Sequence, residues 1–230
     1  MRQLFKSGPF DLIFTPNKVR AIINKTIQTK QGRISVRTCI KQKIPGGNIL
    51  TLSEIRFNNQ LFISSQVNVS PETGTSTILA KFGSTLTSGA RNVFLHVSSA
   101  NPGRQGVVTG KINGKLIKPW ALVSKGLEGK YSTGCLKFVN GTRPRMRVNR
   151  KIARPLEILS KTLKKDFIIF SNKIKVLPVP CWLEILAAYI IFLACLDSCS
   201  AFILDEALFI VCLLICYVNY TLGIAKHFGK

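Results

Sequence analysis

The amino-acid sequence predicts a mainly β protein, a small β-barrel with long basic extensions and a C-terminal apolar, helical tail. Three observations predict it. Between Lys41 and Val123 apolar residues come in short runs broken by turn-forming clusters; Lys and Arg crowd the first 175 residues; and the last fifty residues are dominated by apolar side chains.

Taken in order, the chain opens with a basic stretch, Met1 to Lys30, whose only acidic residue is Asp11. Phe10, Leu12, Ile13 and Phe14 followed by Pro16 break the amphipathic pattern of a transit peptide, so residues 1–43 are expected to form a basic extension. Strands follow at Ile49 to Leu52, Leu61 to Ile63, Val67 and Val69, Ile78 to Phe82, and Val93 to Val97. They are separated by Pro45-Gly46-Gly47-Asn48, Asn58-Asn59, Pro71-Glu72-Thr73-Gly74, Ser88-Gly89 and Asn101-Pro102-Gly103, residues that accept turn φ/ψ values. About five strands at this spacing fit a barrel core over residues 44–102.

Residues 103–153 are poor in large apolar side chains and carry a basic residue every few positions, so they are expected to order only against a phosphate surface. A short helix is expected over Pro155 to Lys165, with Pro155 in its first turn and Leu156, Leu159 and Leu163 on one face. In the tail, residues 154–230, Ile185 to Leu196 and Ala207 to Ala225 are uncharged. The second run approaches the roughly 20 residues that span a bilayer. Two readings stay open. One is a lipid-embedded hairpin over residues 177–225, with Asp197, Asp205 and Glu206 at its turn and Lys173, Lys175, Lys226 and Lys230 on the other side. The other is a pair of buried helices packed on another protein of a large assembly.

Charge narrows the function. Lys and Arg number 33 against 10 Asp and Glu, a net charge of +23. Residues 1–175 hold 31 of the basic residues and six acidic ones, leaving +25, so the polyanion-binding part is the first three quarters of the chain. The seven cysteines include no Cys-x-x-Cys pair; they read as small hydrophobic residues in a reducing compartment, without a zinc site or a disulfide framework. No phosphate-binding glycine loop is present, the acidic residues of the basic part stand singly, and His96 sits in an apolar run. A binding protein without cofactor or metal is therefore expected, not an enzyme. Arg143-Pro144-Arg145-Met146-Arg147 and Arg150-Lys151 fit a peptide threading between RNA helices.

Several segments, in order, give this an identity. Gln31 to Arg37, Ile44 to Leu52 followed by Ile55, and Gly74 to Lys81 resemble stretches of the universal family of the second protein of the large ribosomal subunit. Ala90-Arg91-Asn92 leading to Ala100-Asn101-Pro102, and Lys118-Pro119-Trp120 followed by Ser124-Lys125-Gly126, are similar to later ones. The resemblance covers residues 31–151 and implies an SH3-like barrel whose basic extension enters large-subunit ribosomal RNA. It implies RNA contacts from Arg33, Arg37, Lys41, Lys43, Lys81, Arg91, Arg104, Lys111, Lys115, Lys118, Trp120, Lys125, Arg143, Arg145, Arg147, Arg150 and Lys151. Between Arg37 and Ile44 there is no room for the family's oligonucleotide-binding first domain, which is then lost or supplied by a separate chain. The family's His-Pro-His stretch is replaced by Gly103-Arg104-Gln105-Gly106, so no histidine role in peptidyl transfer carries over. These departures resemble an organellar, mitochondrial form, with other mitoribosomal proteins as neighbours and the organellar inner membrane as the alternative location.

Overall fold

Along residues 18–43 every second side chain, apart from Lys25 and Gln42, is apolar or small and the intervening ones are largely polar or charged, the period-2 pattern of strands with one covered face. In the computed structural model this stretch forms β3 (Lys18–Thr29) and β4 (Gly32–Lys43), two neighbouring strands of a larger sheet. Around them lie β1 (Gln3–Ser7), β2 (Phe10–Thr15), β5 (Ile49–Phe57), β6 (Gln60–Ser70), β7 (Thr75–Phe82), β8 (Arg91–Asn101), β9 (Gln105–Ile112) and β10 (Lys115–Val123). Two helices follow, α1 (Arg150–Ile174) and α2 (Pro180–Cys199). The structure describes residues 2–43, 47–70, 72–73, 75–83, 91–101, 105–123, 150–174 and 180–199, together with helical positions at 212, 216–217, 219–221 and 223–224.

The mainly β class holds, but the described strands do not close into a small barrel. They form one ten-stranded antiparallel sheet in strict chain order, and its edge strands β1 and β10 do not pair with each other. The basic stretch 1–43 is itself four strands, because its charges occupy alternate positions on a sheet face. Residues 105–123, expected to need RNA to become ordered, form the β9–β10 hairpin. The local signal is Asn113-Gly114, with φ of 49° and 80°, the left-handed pair of a tight hairpin turn. In edge strand β10 the register shifts between Ile117 and Trp120, where Pro119 has no N–H to donate.

Asparagines fasten two of these hairpins to the strand next door. At Asn58-Asn59, with φ of 48° and 66°, Asn58 donates its backbone N–H to the Arg33 carbonyl (2.8 Å) and accepts the Arg33 N–H on Oδ1 (2.8 Å). Gly32 leaves room for this: at φ 141° a Cβ would lie 2.3 Å from Asn58 Oδ1. Asn113 repeats the device, donating N–H to Asn92 O (2.8 Å) and accepting Asn92 N–H on Oδ1 (2.9 Å).

One face of the sheet is covered by the helices. Helix α1 begins five residues earlier and ends nine later than the expected Pro155 to Lys165, so Pro155 lies in its second turn. Leu156, Leu159, Leu163, Phe170 and Ile174 recur at three- and four-residue spacing and are buried. Phe170 stacks on Phe10 of β2 with centroids 5.1 Å apart, and Lys25 of β3 donates to Asp166 at 2.8 Å.

The apolar tail belongs to the same core. At the sheet centre the covered face carries hydroxyls where aliphatic side chains are usual: Thr38, Ser53 and Ser65 are cross-strand neighbours, with Thr51 beside them. Tyrosines from the tail meet them. Thr38 donates to the Tyr189 hydroxyl at 2.5 Å, Tyr189 and Ser53 share a 2.5 Å bond, and Thr38 and Ser53 a 3.1 Å bond, a ring in which each hydroxyl can donate once and accept once. Tyr220 bonds Thr51 at 2.8 Å, while the buried Tyr217 hydroxyl lies beside Ser65 without hydrogen-bond geometry. Burial pushes the Tyr189 hydroxyl up to about 12, so it stays protonated throughout the physiological range. Among the described residues one helical stretch, Trp182–Cys199, is long and apolar enough to cross a membrane by length and composition, yet half of it is buried inside the protein.

Four cysteines depart from the expectation of free thiols. Disulfides Cys195–Cys216 and Cys199–Cys212 join α2 to the helical positions after it, while Cys39 is free. The reason is tertiary: Cys195 and Cys199 stand i, i+4 on α2, and the bridges place them against Cys216 and Cys212, also four residues apart.

Asp197, half-buried near the end of α2, makes the fold pH-sensitive. Burial, helped by the charge of Glu157 and opposed by Lys161, pushes its carboxyl from an ordinary 3.8 to about 6. Between these values the folded chain holds a proton that the unfolded chain lacks, so stability falls as pH rises through the window. Asp197→Asn should abolish that fall and, allowing for solvent screening, stabilise the protein by about 1 kcal/mol at neutral pH. Denaturant midpoints of both proteins on either side of the window check this.

Candidate nucleic-acid interface

The opposite face of the sheet carries no packed helix among the described residues, and strand register alone dictates its pattern. Facing residues on adjacent antiparallel strands project to the same side, so the pairings trace rows across the sheet. The middle row runs Ile22, Cys39, Leu52, Gln66, Leu79, Phe94, Lys111. Leu52, Leu79 and Phe94 in it are 37%, 47% and 42% exposed, high values for large apolar side chains in one row of a sheet. Six interstrand steps give the row a length of roughly 29 Å.

Cations flank this row about 7 Å to either side, two residues along each strand. On one side Arg20 faces Lys41, with Lys18 facing Lys43 beyond. On the other lie Arg37 and, across Glu54 and Ser64, Lys81, with Arg33 and Arg56 further out. The carboxylates of the face are engaged by neighbours. Glu54 accepts from Arg56 Nε, and that hydrogen bond, reinforced by the charges of Arg56 and Arg37, holds its carboxyl below the ordinary range against the opposing effect of burial. Asp11 pairs with Lys6 at 3.8 Å. Arg20 points its Nε at Cys39 Sγ, 3.2 Å away. Lys18, Arg20, Arg37, Lys41, Lys43, Lys81 and Lys111 make no ion pair among the described residues.

Of the residues expected to touch RNA, Arg33, Arg37, Lys41, Lys43, Lys81 and Lys111 are brought together on this face. Lys115 is exposed, but it pairs with Ile112 and so falls on the opposite face. Arg91 opens β8, Lys118 and Trp120 lie in β10, and Arg150 and Lys151 open α1; their side chains are outside the described residues, as are Arg104, Lys125, Arg143, Arg145 and Arg147 altogether. Sequence reading missed Lys6, Lys18, Arg20 and Arg56. The signal was available: each occupies the polar phase of a period-2 segment, but a basic extension over residues 1–43 carries no register for Lys6, Lys18 and Arg20, and a strand ending at Leu52 stops short of Arg56.

The electrostatics suit a polyanion. Side chains on a sheet are held at fixed spacing, so phosphates bound there displace counterions without ordering a loop. His96, on the same face, is partly buried between Thr77 and Thr109, and no carboxylate stands opposite it among the described residues. The sulfurs of Cys195, Cys199 and Cys216 lie within 4.8 Å of one another on the helical side, but as disulfides they offer no thiolate to a metal. No family model, curated protein or solved structure matches the chain.

Proposed function

We propose that this chain is a non-catalytic RNA-binding protein of a large ribosomal subunit, which holds ribosomal RNA on the open face of its sheet. The observation that carries the proposal is the pair of cation rows, Arg20 with Lys41 and Arg37 with Lys81, on a face whose described carboxylates, Asp11 and Glu54, are engaged by neighbouring cations. Arg143, Arg145, Arg147, Arg150 and Lys151 extend the same charge along the chain. The resemblance over residues 31–151 supports large-subunit RNA as the target and a mitochondrial ribosome as the setting, with mitoribosomal proteins as neighbours and a separate chain for the missing first domain. An SH3-like barrel over residues 44–102 corresponds in sequence to β5–β8, and the proposed role needs their open face, not their closure. The membrane alternative is disfavoured by the tyrosine hydroxyls that commit α2 to the sheet.

Salt dependence tests the proposal. The full chain should bind a large-subunit RNA fragment with log K falling linearly in log salt, with a slope of about −4 to −7 if some five to eight phosphates are neutralised. In cell extracts it should sediment with the large subunit. A slope near zero, or retention in the membrane fraction after ribosomes are dissociated, would exclude it.

A further inference from the structure

We infer that the part of the face formed by β6–β9 is a site for an unpaired nucleotide, its base lying on Phe94 and Leu79 and its phosphates on Lys81 and Lys111. This rests on the RNA-binding reading above and specifies which form of RNA the sheet takes.

Cation rows alone would serve duplex and single strand equally. A depression of about 490 Å³ lies over these four strands, lined by Leu79, Phe94, Lys81, Lys111, Gln66 and Asn92 among others. That volume falls within the roughly 300–1,000 Å³ of small-ligand sites. Its floor is apolar: Leu79 and Phe94 face each other across β7 and β8 and are each nearly half exposed. Lys111 faces Phe94 on one side, and Lys81 stands two residues from Leu79 along β7. Gln66 faces Leu79, and Asn92 faces Lys81 two residues along β8 from Phe94, so amides able both to donate and to accept flank the floor. The described residues lining the depression include no carboxylate. A π-face flanked by cations and amides matches a base with its phosphates: stacking uses the ring, lysines neutralise the backbone, and amides read the base edge. A paired base has its faces covered by its neighbours in the stack and could not lie on this floor.

Binding of the full chain to a single-stranded 12-nucleotide RNA should weaken about 5- to 100-fold in Phe94→Ala, the usual range for losing one stacking partner. Phe94→Tyr should keep near-normal affinity, and binding to a perfect RNA duplex of equal charge should be unchanged in both variants. Phe94 is exposed, so thermal unfolding should not move. A 2-aminopurine in the single strand should be quenched by wild type and not by Phe94→Ala. Equal losses for single strand and duplex, or no loss for either, would overturn the site while leaving the RNA-binding reading standing. Failure of the wild-type chain to bind any RNA would overturn both.

Discussion

Replacing Arg20, Arg37, Lys41 and Lys81 together by glutamine should lower RNA affinity about 10²- to 10³-fold at physiological salt and flatten the log–log salt slope by about 3 to 4. Each lost contact removes one neutralised phosphate and a charge-assisted hydrogen bond whose net contribution is roughly 1 kcal/mol. The four side chains lie in two rows on the uncovered face and make no ion pair among the described residues, so stability should change by less than about 0.5 kcal/mol. A comparison variant on the other side of the molecule, Lys164→Gln with Lys165→Gln and Lys173→Gln on the exposed side of α1, removes three charges and should leave the affinity within a few-fold of wild type. Equal losses from the two variants would mean that binding follows net charge and not the sheet face. Filter binding across a salt series reads both quantities.

The second large effect is on stability. Tyr189→Ala should destabilise the fold by about 4 kcal/mol, and Tyr189→Phe by about 1 to 2 kcal/mol. The alanine variant empties a fully buried site that touches Phe192 and Tyr220, with ring centroids 5.7 and 5.9 Å away, and removes the hydroxyl shared by Thr38 and Ser53. The phenylalanine variant keeps the volume and breaks only the ring of hydroxyls, leaving Thr38 and Ser53 bonded to each other at 3.1 Å. Against a typical total of about 5 to 15 kcal/mol the first loss is severe. Urea unfolding of the purified chain gives both values. If Tyr189→Phe unfolds at the wild-type midpoint, the hydroxyl ring contributes nothing, and the argument for α2 as core and not lipid anchor loses its main support.

Much of this was legible from residues alone. The strands at Ile49 to Leu52, Ile78 to Phe82 and Val93 to Val97 follow from apolar runs between turn formers, and Leu156, Leu159 and Leu163 do mark the buried stripe of α1. Leu61 to Ile63 and Val67 to Val69 look like two strands but belong to one, β6, because a bulge opposite Ile55 and Arg56 places both Phe62 and Ile63 on the covered face and interrupts the alternation. Arg33, Arg37, Lys41 and Lys43 were visible as a basic cluster; that they face Arg20 and Lys18 was not, because pairing couples residues up to about twenty-five positions apart through a turn whose register no single residue announces.

What the sequence determined by itself is therefore the local chemistry: the strand periodicity, the Asn-Asn turn, the apolar character of the tail and the large excess of positive charge. Tertiary structure decided the rest. It chose an open sheet, since hairpin follows hairpin and nothing brings β1 to β10. It assigned the tail to the sheet, because a row of serine and threonine hydroxyls on a covered face must find partners away from water, and tyrosines some 140 to 170 residues later supply them. Once helices cover that face, the alternate residues of the same strands are left outside, and there the scattered lysines and arginines of the sequence become ordered rows.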